Sequence, residues 1–179
     1  MNKQWPEPKI AMRQGQHPSE SMFPPPPPEY RASEEDGMLI ERNVAVTLST
    51  GIRMYIDIYR PQGDAGQADL PIILAWSPYG KHRTSATFRY SGSGIEDGWI
   101  SRHTAFEAPD PAYWCQAGYA VVYADPPGVL YSEGEMHHGG PDETRDAVEL
   151  IEWLGERAWS NGRVGMSGVS YLACIQWQG

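Results

Sequence analysis

The stretch Arg163-Val-Gly-Met-Ser-Gly168-Val-Ser170-Tyr-Leu-Ala-Cys174 is a short apolar strand that ends in Gly-x-Ser and turns at once into a helix. This is the context of a nucleophile elbow. The sharp strand-to-helix turn forces the serine into a strained backbone conformation and lifts its hydroxyl above the sheet. Its close neighbours must be small, and Gly168 stands two residues before it. The helix N-terminus adds a positive dipole end and free N–H groups. Ser170 is therefore the candidate nucleophile, and the Tyr171 N–H can donate to an oxyanion. In Gly-x-Ser-x-Gly the second glycine would fall at Leu172; Ala173 is the next small residue. Two other readings compete. Ser170 could simply cap the helix. Gly165-x-x-Gly168 could open a dinucleotide site, but Gly-x-Gly-x-x-Gly is absent and residues 171–179 hold no acidic ribose ligand.

Upstream of the elbow, buried strands alternate with helices. LIERNVAVTL and IRMYIDIY flank Ser49-Thr50-Gly51, a β-hairpin signal, and order is expected to begin near Leu39. Met54, Ile56 and Ile58 share one strand face; Arg53, Tyr55 and Asp57 share the other. PIILAW, YAVVYA and RVGMS are continuous apolar runs, as in strands buried on both faces. A helix around 112–118 ends at Gly118. A second helix, capped by Asp142, presents Ala147, Leu150, Ile151 and Leu154 on one face. Residues between Ser77 and Ala105 form a long irregular loop. The order predicts an α/β fold: a mostly parallel sheet, helices on both faces, and the hairpin as its antiparallel edge.

From about Leu39 to Gly179 the chain resembles the CocE/NonD family of serine hydrolases, which is related to the X-Pro dipeptidyl peptidases and the α-amino-acid ester hydrolases. The blocks IERNVAVTLSTGIRMYIDIYRP, SPYGK, WCQAGYAVVYAD, SEGE and WSNGRVGMSGVSYLACIQW carry the likeness, in that order. The resemblance implies an α/β-hydrolase fold, here its N-terminal half, and acyl transfer to Ser170 without metal or organic cofactor. It implies that the Tyr79 phenol, in Ser-Pro-Tyr-Gly-Lys, completes the oxyanion hole. Substrates would be small esters or amides, or short X-Pro peptides. Where the family has approximately D-x-R-G-x-G-x-S-x-G, this chain has Asp125-Pro-Pro-Gly128-Val-Leu130-Tyr-Ser132-Glu-Gly134, with Pro127 for the Arg and Leu130 for a Gly. That puts the geometry of the loop in question.

A serine hydroxyl needs a base. In this fold the acid and the histidine follow the serine, yet residues 171–179 contain no Asp, Glu or His. The expectation is a chain that stops before its triad is complete, inactive by itself, with an unpaired apolar edge at 163–167 and with Ile175 and Trp177 meeting water; poor solubility would follow. A non-catalytic remnant or binding module of the same fold is the alternative.

The net charge of −9 and the lack of a Lys/Arg cluster exclude a phosphate-backbone partner such as nucleic acid. Hydrophobic residues at 40% and charged residues at 21% are globular values. No run is apolar enough for a membrane span, and the N-terminus lacks a signal-peptide pattern, so a cytoplasmic location is expected. Residues 1–35, with Pro24 to Pro28, read as a disordered arm or Pro-rich surface wrap preceding a 36–179 catalytic-domain part. Cys115 and Cys174 read as small buried hydrophobes, not a metal pair. His82, His103 and His137-His138-Gly139-Gly140 read as solvated loops.

Overall fold

The computed structural model describes residues 27–67, 69–82, 96 and 98–177. Six strands form one sheet: β1 (Arg31–Glu35), β2 (Met38–Thr47), β3 (Arg53–Pro61), β4 (Leu70–Trp76), β5 (Ala120–Asp125) and β6 (Ser160–Met166). Their spatial order is β1-β2-β3-β5-β4-β6. The first three are antiparallel, β3 joins β5 antiparallel, and β5, β4 and β6 run parallel. Helices α1 (Pro111–Gln116) and α2 (Pro141–Gly155) connect the parallel strands, and α3 (Tyr171–Cys174) follows β6.

The expected hairpin is β2–β3. Gly51, at φ 81°, closes its turn, with the Leu48 N–H donating to the Ile52 carbonyl at 2.9 Å. The expected arm of residues 1–35 needs correction at its end, because residues 31–35 are strand β1. Asp36 and Gly37, at φ 52° and 77°, make the two-residue Asp-Gly turn that favours a tight hairpin. Order thus begins before Leu39, and β1 rather than β2–β3 is the outer edge; residues 1–26 lie outside the described residues. A bulge between Glu41 and Val44 frees the Asn43 N–H to donate to the buried Asp57 carboxylate at 2.9 Å.

The core has two sides. Met54, Ile56 and Ile58 of β3, with Ile72, Leu74, Trp76, Val122 and Ala124, pack against Ala147, Leu150 and Leu154 of α2. Tyr59, Ala75, Val121 and Tyr123 pack on the other face against Cys115 of α1 and Leu172 of α3. Helices therefore cover both faces, as an α/β-hydrolase sheet requires.

Four local expectations change. Gly140, not Asp142, is the N-cap of α2; Pro141 takes the first helical position, and Asp142 instead accepts from Arg145 Nη1 at 2.6 Å. Strand β6 is half-exposed rather than buried on both faces, because among the described residues it pairs only with β4, which leaves the open edge expected at 163–167. Ile175 is buried at 4% exposure and Trp177 is exposed at 89%, since the last helical turn rolls Ile175 onto the α2 side of the core. Cys115 is buried as expected, but Cys174 is exposed.

Candidate active site

Ser170 follows β6 directly and precedes α3. Its backbone stands at φ 56°, ψ −121°, a region that L-residues avoid at a cost of about 1–3 kcal/mol. Its side chain makes no capping hydrogen bond to the helix, so the reading of Ser170 as a mere cap fails. The residue is exposed. Gly168 shows why the motif needs a glycine: a Cβ there would lie 2.3 Å from Leu172 Cβ. Leu172, in the place of a second glycine, instead anchors α3 in the core at 1% exposure.

The strained serine is held on both sides. Before it, the Val169 N–H donates to the Glu107 carbonyl at 3.1 Å. Glu107 is itself left-handed at φ 62°. Burial pushes its carboxyl above the ordinary value, while a hydrogen bond from the Tyr79 phenol pulls it back. After Ser170, the Tyr171 hydroxyl donates to Glu143 Oε2 at 2.6 Å. Tyr79 and Tyr171 both pack against the cluster that holds Leu172, and Ser170 directly precedes Tyr171 in the chain.

Tyr79 lies in the loop after β4, half-buried, its ring edge-on to Phe106 at 5.0 Å. The loop is tied down by Lys81, whose backbone N–H and Nζ donate to the two oxygens of Asp125 at 2.6 and 2.9 Å. Both side chains are fully buried. Burial raises Asp125, and the Lys81 ammonium and its hydrogen bonds oppose that rise. The lysine of Ser-Pro-Tyr-Gly-Lys and the aspartate at the end of β5 are thus one structural unit.

The loop after Asp125 is closely packed around Gly128 and Leu130. Gly128 sits at φ 78°, where a Cβ would lie 2.4 Å from the Met136 nitrogen. Leu130, where the family has glycine, adopts φ 50° and packs a methyl against Gly80, where a Cβ would approach it to 2.6 Å. Ser132 Oγ donates to the Asp125 carbonyl at 2.7 Å and accepts from the Tyr55 N–H at 3.0 Å.

Two features escaped sequence reasoning. Glu143, at 4% exposure, accepts hydrogen bonds from Trp76 Nε1 at 2.8 Å, the Gly139 N–H at 2.6 Å and the Tyr171 hydroxyl. Glu107 gave no sequence signal, because its role depends on a positive φ. The histidines also differ from expectation. His82 pairs with Asp57 at 2.9 Å, and His103, at 6% exposure, pairs with Asp36 at 2.8 Å. Burial works to raise Asp57, but His82, Lys81 and the Asn43 N–H outweigh it and hold the carboxyl below its ordinary value. His138 is exposed but lies edge-on to the Tyr171 ring, centroids 5.2 Å apart.

A cavity of about 290 Å³ opens among Arg42, Tyr59, Lys81, His82, Arg102 and His103. Its cations are already paired, Arg42 with Asp57, Lys81 with Asp125, and Arg102 with Glu35 and Asp36, so it is neutralised from within, and Ser170 does not line it. Among the described residues no cluster of His, Cys, Asp and Glu could hold a metal, and no helix is long and apolar enough to cross a membrane.

Residues 50–179 match the model of the X-Pro dipeptidyl-peptidase (S15) family. The chain belongs to this family. It is 35% identical to the cocaine esterase of Rhodococcus sp. (strain MB1 Bresler) over 139 residues, 78% of this chain and 21% of that one. It is 42% identical over 78 residues to an Xaa-Pro dipeptidyl-peptidase of Lacticaseibacillus rhamnosus, covering 35% of this chain and 10% of that protein. Among solved structures, a CocE/NonD family hydrolase of Staphylococcus aureus superposes with a TM-score of 0.70 at 32% identity, over 79% of this chain and 25% of that one. An α-amino acid ester hydrolase shares the fold, with a TM-score of 0.61. The chain thus spans about a fifth to a quarter of the cocaine esterase and the staphylococcal hydrolase. The fold is that of the α/β-hydrolases, and the two relatives named are an esterase and a dipeptidyl-peptidase.

Proposed function

We propose that this chain carries the nucleophile and oxyanion-hole half of a serine hydrolase that cleaves small esters, amides or short X-Pro peptides through an acyl-serine. The single observation that carries this is the exposed Ser170 at φ 56° between a parallel strand and a helix, with a Gly168 whose Cβ has no room. Family membership supports the hydrolytic chemistry. Oγ attacks the substrate carbonyl carbon, and the carbonyl electron pair moves onto oxygen. The Ser170 proton passes to a base and then to the leaving alkoxide or amine; water later cleaves the acyl-serine. The Tyr171 N–H and the Tyr79 phenol would bind the developing oxyanion. The Tyr79 phenol also faces Glu107, whose carboxyl burial raises and the phenol lowers.

The base and its carboxylate partner are proposed to come from outside these 179 residues. No described side chain hydrogen-bonds the Ser170 hydroxyl, and the match covers 21% of the cocaine esterase. The 179 residues alone are then expected to show no turnover.

An alkyl fluorophosphonate tests the assignment: Oγ displaces fluoride at phosphorus and leaves a stable adduct. Peptide mapping of the labelled intact protein should place the adduct on Ser170, and Ser170→Ala should abolish it. An adduct that persists in Ser170→Ala would overturn the reading. Tyr79→Phe should lower kcat by roughly 10²-fold with little change in KM, the scale of one lost oxyanion donor.

A further inference from the structure

A residue held at φ 56° relaxes unless its neighbours over-determine it. The four-residue helix α3 cannot do this alone, because so short a helix is unstable without tertiary contacts. Leu172 supplies one anchor from below. The other is the Tyr171 side chain, and what holds it is Glu143 at the first turn of α2.

Glu143 accepts three hydrogen bonds, each from a different segment. Trp76 Nε1 comes from the last residue of β4, three residues before Tyr79. The Gly139 N–H comes from the loop before α2. The Tyr171 hydroxyl comes from the residue after Ser170. The side chain is buried, so the three donors, and not water, set its position. The His137-His138-Gly139-Gly140 segment joins the same assembly, since His138 lies edge-on against the Tyr171 ring. Burial, then the Glu143 hydrogen bond and charge, raises the Tyr171 phenol, so it stays a donor across the working pH range.

We propose that Glu143 is a positioning residue: by clamping Tyr171 and Trp76 it keeps Ser170 in its strained conformation and sets the spacing between the Tyr171 N–H and the Tyr79 phenol. This rests on the reading of Ser170 as the nucleophile. Glutamine is nearly isosteric but cannot replace the carboxylate. Its amide nitrogen would face an N–H or O–H donor and leave a clash or an unmade bond. A misplacement on the scale of 1 Å at reacting atoms costs on the order of 10²-fold in rate, whereas ground-state binding depends less on it.

The test uses the intact protein and a chromogenic ester, with rates expressed per fluorophosphonate-titrated site and melting temperatures measured in parallel. Glu143→Gln should lower kcat about tenfold to a hundredfold with KM changed less than about twofold. Tyr171→Phe keeps the backbone donor and removes only the clamp; it should lower kcat in the same direction. The double variant should be no slower than Glu143→Gln alone, because both remove one interaction. A lowered melting temperature with unchanged kcat per site in Glu143→Gln would overturn the inference. If Glu143→Gln does not fold, unchanged kcat in Tyr171→Phe overturns it equally. Ser170→Ala separates the two levels. Loss of turnover there with normal kcat in Tyr171→Phe sinks the clamp alone; retained turnover in Ser170→Ala sinks the nucleophile reading and the clamp with it.

Discussion

Leu130 and Ser170 are both non-glycine residues in the left-handed half of backbone space, at φ 50° and 56°. Both lie in loops that follow parallel strands of one sheet, β5 and β6. The strain is similar; the use made of it differs. Around Leu130 the loop is closed on itself, with the Gly128 N–H on the Glu133 carbonyl at 3.0 Å and the Ser132 N–H on the Val129 carbonyl at 2.9 Å. The Leu130 side chain packs on Gly80 and carries no chemistry. At Ser170 the main chain is clamped by neighbours on either side while the hydroxyl stays unengaged and exposed. Strain by itself therefore does not mark a site. At the candidate site the strain presents a hydroxyl that no described side chain engages.

Substituting glycine at each position breaks the comparison most sharply. Ser170→Gly should raise stability by about 1 kcal/mol, as the backbone cost disappears, and should lower kcat/KM by roughly 10⁴-fold or more. Chemical denaturation and ester hydrolysis measure the two effects. Parallel losses of stability and activity would mean that Ser170 is structural. Next in size is Lys81→Met, which strands Asp125 in the core. Removing one partner of a buried pair costs about 3–5 kcal/mol, read from the urea midpoint. Because burial already raises Asp125, the deficit should shrink as pH falls: protonated Asp125 needs no counter-ion, so the variant gains on the parent in acid. Gly168→Ala should cost about 1–3 kcal/mol by overpacking against Leu172, with activity falling as the elbow shifts. The smallest effect belongs to Leu130→Gly. Relief of strain and loss of a half-exposed contact nearly cancel, so stability should change by about 1 kcal/mol or less, with activity within about threefold. A large activity loss there would make the two strained residues alike after all.

Much of this molecule was legible from residue order. Continuous apolar runs identified β4 and β5, alternation identified β3, and helical spacing identified α2, because each pattern reflects a periodicity of the backbone. The Gly-x-Ser between strand and helix located the elbow for the same local reason, and the family likeness added Tyr79. Signals present but passed over include Asp36-Gly37, a hairpin turn hidden behind a Pro-rich arm. Pro141 was another: it moves the cap of α2 from Asp142 to Gly140.

The sequence alone determined which segments are strands and helices, where the sharp turn falls, and that Ser170 stands on it, since those features depend on neighbours within a few residues. Only the tertiary structure decided which distant groups meet. Glu143 is 28 residues from Tyr171 and 67 from Trp76, and Lys81 is 44 residues from Asp125. No periodicity encodes such contacts. They arise where the sheet order β5-β4-β6 brings the ends of parallel strands side by side and burial forces each charged or polar group there to find a partner.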